Sequence, residues 1–154
     1  MDGNGDGVTI RALRGEDVGR LVRMDEQITG RNRRAWYQGA VERALSGSDL
    51  KISLGAEVDG TLVGAVLGSL QYGEFGVPEP VAVLDTILVD RGFQGHGIAT
   101  EILTQLMKNL KALGIERLRT EVAWNEHELA GFLDKNGFAP AARLVLERSL
   151  AGPD

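Results

Sequence analysis

The sequence has no cysteine. That excludes disulfides, a thiolate nucleophile and a cysteine zinc site. Histidine occurs only at His96 and His127, too few for a histidine-rich metal centre, so no metal is expected. There is no apolar run long enough to span a membrane and no signal-like segment, which makes the cytoplasm the default location. Positive charge is in deficit: 17 Lys and Arg against 22 Asp and Glu give a net charge of −5. This argues against a nucleic-acid backbone or an anionic membrane as partner, while leaving room for one basic pocket. Two phosphate-binding signatures are also missing. No Lys-Ser or Lys-Thr pair follows the glycines, and Gly95-His96-Gly97 has Thr100, not glycine, at its third following position. A partial calcium loop, Asp2-Gly3-Asn4-Gly5-Asp6-Gly7, has Leu13 where the bidentate glutamate is required.

What is present reads as one α/β domain over residues 8–151, preceded by a disordered tail at 1–7. The 154 residues are 43% apolar and 25% charged, ordinary for a globular protein. Val8–Leu13 alternates as a strand. Gly15–Thr29 and Arg34–Ser46 read as helices, separated by Arg31-Asn32-Arg33-Arg34. Lys51–Val58 and Thr61–Gln71 form a hairpin around Asp59-Gly60, and the second arm carries the small residues Gly64 and Gly68, which allow close packing. A Gly- and Pro-containing loop, 72–80, follows. Later, Arg117–Ala123 alternates as a strand. Asn125–Asn136 reads as a helix with Asn125 as N-cap and Glu128 completing the box. Gly137 ends that helix, and Arg143–Leu150 closes the chain as a strand.

The most informative stretch lies between these, Val81 to Leu113. An apolar strand, Val81–Val89, feeds the turn Asp90-Arg91-Gly92-Phe93-Gln94-Gly95-His96-Gly97. A helix then carries Ile98, Ile102, Leu103, Leu106, Met107, Leu110 and Leu113 at helical spacing. Gly114 is placed to cap it in the left-handed conformation. The first turn of a helix has N–H groups without internal partners and the positive end of the dipole. Glycines before it allow an anion to approach the backbone. The unit therefore has the physics of a phosphate-binding device.

Gln94-Gly95-His96-Gly97-Ile98-Ala99 resembles the Gln/Arg-x-x-Gly-x-Gly/Ala signature of the GNAT superfamily of coenzyme A-dependent N-acyltransferases. The element order, from first strand to last, resembles that fold along nearly the whole chain. The resemblance implies a mixed, mostly antiparallel α/β (α+β) sheet flanked by helices, with the strands at Val81–Val89 and Arg117–Ala123 splayed around a pantetheine arm. It implies acetyl-CoA as co-substrate. Backbone groups around Leu88 and Val89 would bond the pantetheine amides, and the N–H groups of Gln94, Gly95, His96, Gly97, Ile98, Ala99 and Thr100 would hold the pyrophosphate. Asn125 resembles the family's asparagine contact to the cofactor, one residue further from Gly137-Phe138 than usual. The side chain of His96 reads as a solvent-facing turn residue. Arg91 is either a phosphate contact or a surface arginine.

The reaction implied is direct transfer of an acetyl group to a primary amine in a ternary complex. A base is needed for the amine, and Asp85, set in an apolar run, is the candidate; its alternative is a structural hydrogen-bonding role. Glu74 and Glu79 are further candidates, acting through water. The Val89 N–H would polarise the thioester carbonyl. The tyrosine that often serves as acid in the family is replaced by Leu133, which leaves water or Tyr72. The Arg31–Arg34 cluster is either a solvated helix start or, as in related folds, part of an acceptor site. The acceptor is a small-molecule amine or a protein or peptide amine. A CoA-binding module without efficient turnover stands as the alternative, and whether two copies pair as a homodimer is left open by the sequence.

Overall fold

A computed structural model of the chain describes residues 7–46, 52–76 and 78–153. The calcium-like stretch before Gly7, most of the expected tail, and Lys51 lie outside the described residues. These residues fall into two compact units, dividing between Glu121 and Val122.

The first unit contains β1 (Val8–Ala12), α1 (Val18–Thr29), α2 (Arg34–Ser46), β2 (Leu54–Val58), β3 (Thr61–Gln71), β4 (Val81–Val89), α3 (Ile98–Ala112) and β5 (Leu118–Arg119). The strands form one sheet in the order β1-β2-β3-β4-β5. The first four are antiparallel and β5 runs parallel to β4. Asp59 and Gly60 both have positive φ, 51° and 78°, as the two-residue turn between β2 and β3 requires.

Two helical layers cover this sheet. Leu21, Val22 and Met24 of α1 and Tyr37 and Val41 of α2 pack with Leu62, Ala65, Leu67 and Leu88. Ala65 faces that layer, so Gly64 faces the opposite side. A side chain on Gly64 would meet Ile98 Cγ2 at 2.9 Å and Ile102 Cδ1 at 3.3 Å. The small residue lets α3 lie close to the sheet. Gly68 is equally confined, with Val83 O at 2.6 Å and Ile52 Cγ2 at 2.8 Å from the position a Cβ would take. At the end of α3, Gly114 has φ 78°. Its N–H bonds Lys111 O at 3.0 Å and that of Ile115 bonds Leu110 O at 2.9 Å. This is a Schellman cap closed by the buried pair Leu110 and Ile115.

The link between α1 and α2 is held by one buried acid. Asp25, 3% exposed, accepts from Arg33 Nε and Nη2 at 2.8 and 2.6 Å and from Tyr37 Oη at 2.9 Å. Arg33 also lies over the rings of Trp36 and Tyr37, 5.5 and 5.6 Å from their centroids. Arg33 is thus a structural clamp, a role that neither reading of the arginine cluster contains; Arg31 and Arg34 are exposed.

The second unit contains α4 (His127–Lys135). Gly137, φ 90°, ends it: Gly137 N–H bonds Asp134 O at 3.1 Å and Phe138 N–H bonds Leu133 O at 3.0 Å. Three expectations need correction. The helix starts two residues after Asn125, with Glu126 as N-cap and no side-chain capping bond, because Glu126 N–H instead closes a turn onto Ala123 O at 3.0 Å. The strand expected over Arg117–Ala123 is reduced to Leu118–Arg119. Arg143–Leu150 is not a strand among the described residues. Leu144, Leu146 and Leu150 are exposed there. Period-two alternation yields a strand only where an adjoining edge supplies hydrogen bonds.

Candidate functional site

The site begins where β5 leaves β4. The two strands pair only at Ala82–Leu118 and Val83–Arg119, although β4 continues to Val89. Thr120 Oγ1 donates to Leu84 O at 2.8 Å, the last bond across the opening among the described residues. Beyond it the outer edge of β4 has no neighbouring strand among the described residues. Asp90 N–H donates to Val63 O at 2.8 Å, so the adjoining pair Val89–Gly64 is of the non-hydrogen-bonded kind. The main-chain groups of Val89, and by the same alternation Ile87, therefore point to the open edge. The main chain of Leu88 is committed to Ala65, and its side chain is in the core. Of the two residues expected to offer backbone groups, Val89 turns its main chain to that edge, where its carbonyl accepts from Gln94 Nε2, and Ile87 joins it.

Asp85 marks an irregularity in this strand. Leu67 opposes Thr86 and Gly68 opposes Leu84, which leaves Asp85 as the extra residue of a β-bulge. A bulge re-aims the side chain it carries. Asp85 is exposed, not buried as its apolar flanks suggest. The protein mass around it still pushes its carboxyl pKa upward, with Arg43 opposing that shift. No hydrogen bond ties the carboxylate to a neighbouring loop among the described residues.

The turn after β4 is pinned at both ends. Asp90 Oδ1 accepts from Gly92 N–H at 2.8 Å and Asp90 O accepts from Phe93 N–H at 2.9 Å. The Gly92 N–H and then Arg20 hold the Asp90 carboxyl below the usual carboxylate range. Gln94 Nε2 donates to Val89 O at 3.2 Å, so the glutamine of the signature ties the turn back to the strand. Gly95 and Gly97 have φ of 83° and 78°, and open space surrounds the position of a Cβ on each.

Gly97 is the N-cap of α3 and no side chain caps it. The first intrahelical bond runs from Glu101 N–H to Gly97 O at 3.0 Å. The N–H groups of Ile98, Ala99 and Thr100 are the unfilled donors of this helix start. Gln94, Gly95, His96, Gly97 and Thr100 are exposed, whereas Ile98 is buried against the sheet. The arrangement offers amides without intrahelical partners and a helix dipole to an anion, after a strand edge able to accept an extended amide-bearing arm.

Other expected residues lie elsewhere. Asn125 is an exposed residue of the second unit, in the turn before α4. Leu133, at 5% exposure, is buried. Tyr72 and Glu79 are exposed in the loop between β3 and β4, and the side chain of Glu74 lies outside the described ones. Arg91 is exposed. Among the described residues no group of three or more His, Cys, Asp or Glu is placed to hold a metal ion. No helix among them is long and apolar enough to cross a membrane. Sequence reasoning missed Arg20, whose side chain reaches this turn from α1; nothing in its local pattern distinguishes it from a surface arginine.

A strand edge opened by a departing neighbour is thus followed by a glycine turn and a helix without a side-chain cap. The chain belongs to the acetyltransferase (GNAT) family, whose model matches residues 21–138, and it is a GNAT-type N-acetyltransferase with acetyl-CoA as co-substrate. Solved structures agree in fold. An aminoglycoside N-acetyltransferase, AAC(6')-Iy, in complex with CoA superposes with a TM-score of 0.77 at 17% identity, covering 96% of this chain and 98% of the other. The aminoglycoside 6'-N-acetyltransferase AAC(6')-Ih from Acinetobacter baumannii gives 0.76 at 16% identity, covering 95% and 100%. A ribosomal-protein-alanine N-acetyltransferase from Brucella melitensis biovar Abortus 2308 gives 0.72 at 19% identity, covering 92% and 99%.

Proposed function

We propose that the protein transfers an acetyl group from acetyl-CoA directly to a primary amine held with it in a ternary complex. The observation that carries this reading is the opening between β4 and β5. It leaves the edge-facing main chain of Ile87 and Val89 on the strand that leads, through the glycine turn, to the uncapped start of α3. The pantetheine arm adds to β4 as a strand would, and the diphosphate takes the N–H groups from Gly95 to Thr100. The N–H of Val89 polarises the thioester carbonyl.

In the transfer step the amine nitrogen attacks the thioester carbonyl carbon and a C–N bond forms. The C–S bond then breaks and the electron pair leaves on sulfur. Asp85, raised in pKa and aimed by the bulge, takes the proton that the attacking nitrogen loses. The thiolate takes its proton from water, since Leu133 has none to give. The chain has no cysteine, so an acyl-cysteine intermediate has no place here.

The acceptor is a small-molecule amine or the amine of a protein or peptide. The similar structures include enzymes named for both kinds of substrate, at identities that speak for the fold alone. Release of free thiol from acetyl-CoA, measured across a panel of polyamines, aminoglycosides and amino-terminal or lysine peptides, tests the proposal. Release with one amine class supports it. Tight CoA binding without release from any amine favours a binding module, the reading to which Leu133 lends weight.

A further inference from the structure

Arg20 is a residue of α1, in the layer opposite α3, yet its guanidinium reaches the turn that precedes α3. Its Nη2 donates to Asp90 Oδ2 at 2.5 Å and its Nε to Leu62 O at 2.8 Å. Both side chains are largely enclosed, 23% and 14% exposed. The two oxygens of Asp90 are thus divided: Oδ1 holds the turn through Gly92, and Oδ2 holds α1 through Arg20. The backbone of Asp90 is fixed as well, its N–H on Val63 O. One guanidinium therefore ties together α1, the start of β3 and the junction where β4 becomes the glycine turn.

Two consequences follow for an anion bound beyond that junction. The first is geometric. The turn leads within a few residues to Gly95 and Gly97, and any freedom at Asp90 passes into the placement of the N–H cradle, where small misplacements are costly. The second is electrostatic. A carboxylate at the approach to an anion site opposes binding unless a cation neutralises it, and Arg20 does so at close range. Lysine cannot replace it, because a single ammonium lacks the planar fork that serves Asp90 and Leu62 together.

We propose that Arg20 is a positioning residue for the coenzyme, fixing and neutralising through Asp90 the turn that carries the diphosphate cradle. This rests on the reading of the site given above and goes beyond it. Arg20 acts through Asp90 and does not touch the reacting atoms.

The test compares coenzyme A affinity by calorimetry with kcat/KM for two donors, acetyl-CoA and S-acetylpantetheine, which lacks the diphosphate. Arg20→Ala is expected to raise the Kd for coenzyme A about tenfold. It should lower kcat/KM for acetyl-CoA in parallel and leave that for S-acetylpantetheine unchanged. Adding Asp90→Asn to Arg20→Ala should recover part of the loss, because the bare charge is gone. Should Arg20→Ala fail to fold, Arg20→Lys carries the test, with an expected loss of about threefold. Unchanged coenzyme A affinity in a folded Arg20 variant overturns the proposal. So does an equal loss with both donors, which marks a general structural role. A wild-type protein that does not bind coenzyme A overturns the reading of the site as well, whereas wild-type binding matched by the variants overturns this inference alone.

Discussion

Thr120 closes the end of the β4–β5 opening by donating its hydroxyl to the main-chain carbonyl of Leu84, 2.8 Å away. The bond takes the place of the next rung of a parallel ladder that reaches only Val83 and Arg119. Replacing Thr120 with valine keeps the shape and removes the donor. The expected cost is about 1 kcal/mol, read as a lower urea midpoint with an unchanged slope. An unchanged midpoint would show that the bond does not hold the opening.

Gly64 sets how closely α3 approaches the sheet. Gly64→Ala places a methyl group 2.9 Å from Ile98 Cγ2, and overpacking of this kind costs about 1–3 kcal/mol. Ile98 is the first residue of α3, so the cradle moves with it. Both thermal stability and coenzyme A affinity should fall. Loss of stability with full affinity would uncouple the cradle from this packing.

Gly97 behaves differently, because open space surrounds the position of its Cβ. A Cβ at Gly97 has nothing within 4 Å, but the φ of 78° is a left-handed conformation that strains an L side chain by about 1–2 kcal/mol. The side chain would stand where the diphosphate is proposed to lie. Coenzyme A affinity should fall about tenfold or more, beyond anything the modest stability loss explains. A folded variant with wild-type affinity counts against the cradle.

Much of this was legible in the sequence because local signals agreed with the tertiary contacts. The bounds of α2, β3 and β4, the Asp59-Gly60 turn and the Gly114 cap are all set by patterns within a few residues. The Asp85 bulge was not legible, since it depends on how β4 registers against β3. Nor was the Asp25–Arg33–Tyr37 cluster, in which an acid on an apparently polar helix position is buried by residues further along the chain. The strand expected at Arg143–Leu150 failed for a related reason: alternation describes a face, and a strand also needs an edge to pair with.

That acid cluster makes a pH prediction. Arg33, opposed by burial and aided by Tyr37, holds the Asp25 carboxyl below its ordinary value. A depressed folded-state pKa contributes stability above the unfolded value, about 3.9, and loses it as pH falls through the folded value. Asp25→Asn should cost about 2–3 kcal/mol at pH 7 and should flatten the decline in stability below about pH 4. A variant with the wild-type acid profile would show that other carboxylates govern it.

Asp85 is tested by the pH dependence of kcat/KM. Its raised pKa places an acid limb on the profile, with activity falling as the carboxylate takes up a proton. Asp85→Asn should lower the rate and remove that limb. Arg43→Ala should move the limb to higher pH, because Arg43 opposes the upward shift. A limb unaltered in both variants assigns Asp85 a structural role.

The central claim concerns where coenzyme A lies, and a crystal structure of the protein grown with coenzyme A tests it most directly. The diphosphate is expected on the N–H groups from Gly95 to Thr100, with the pantetheine arm along Ile87 and Val89. Coenzyme bound elsewhere, or an opening between β4 and β5 filled by the protein's own side chains, would contradict the account.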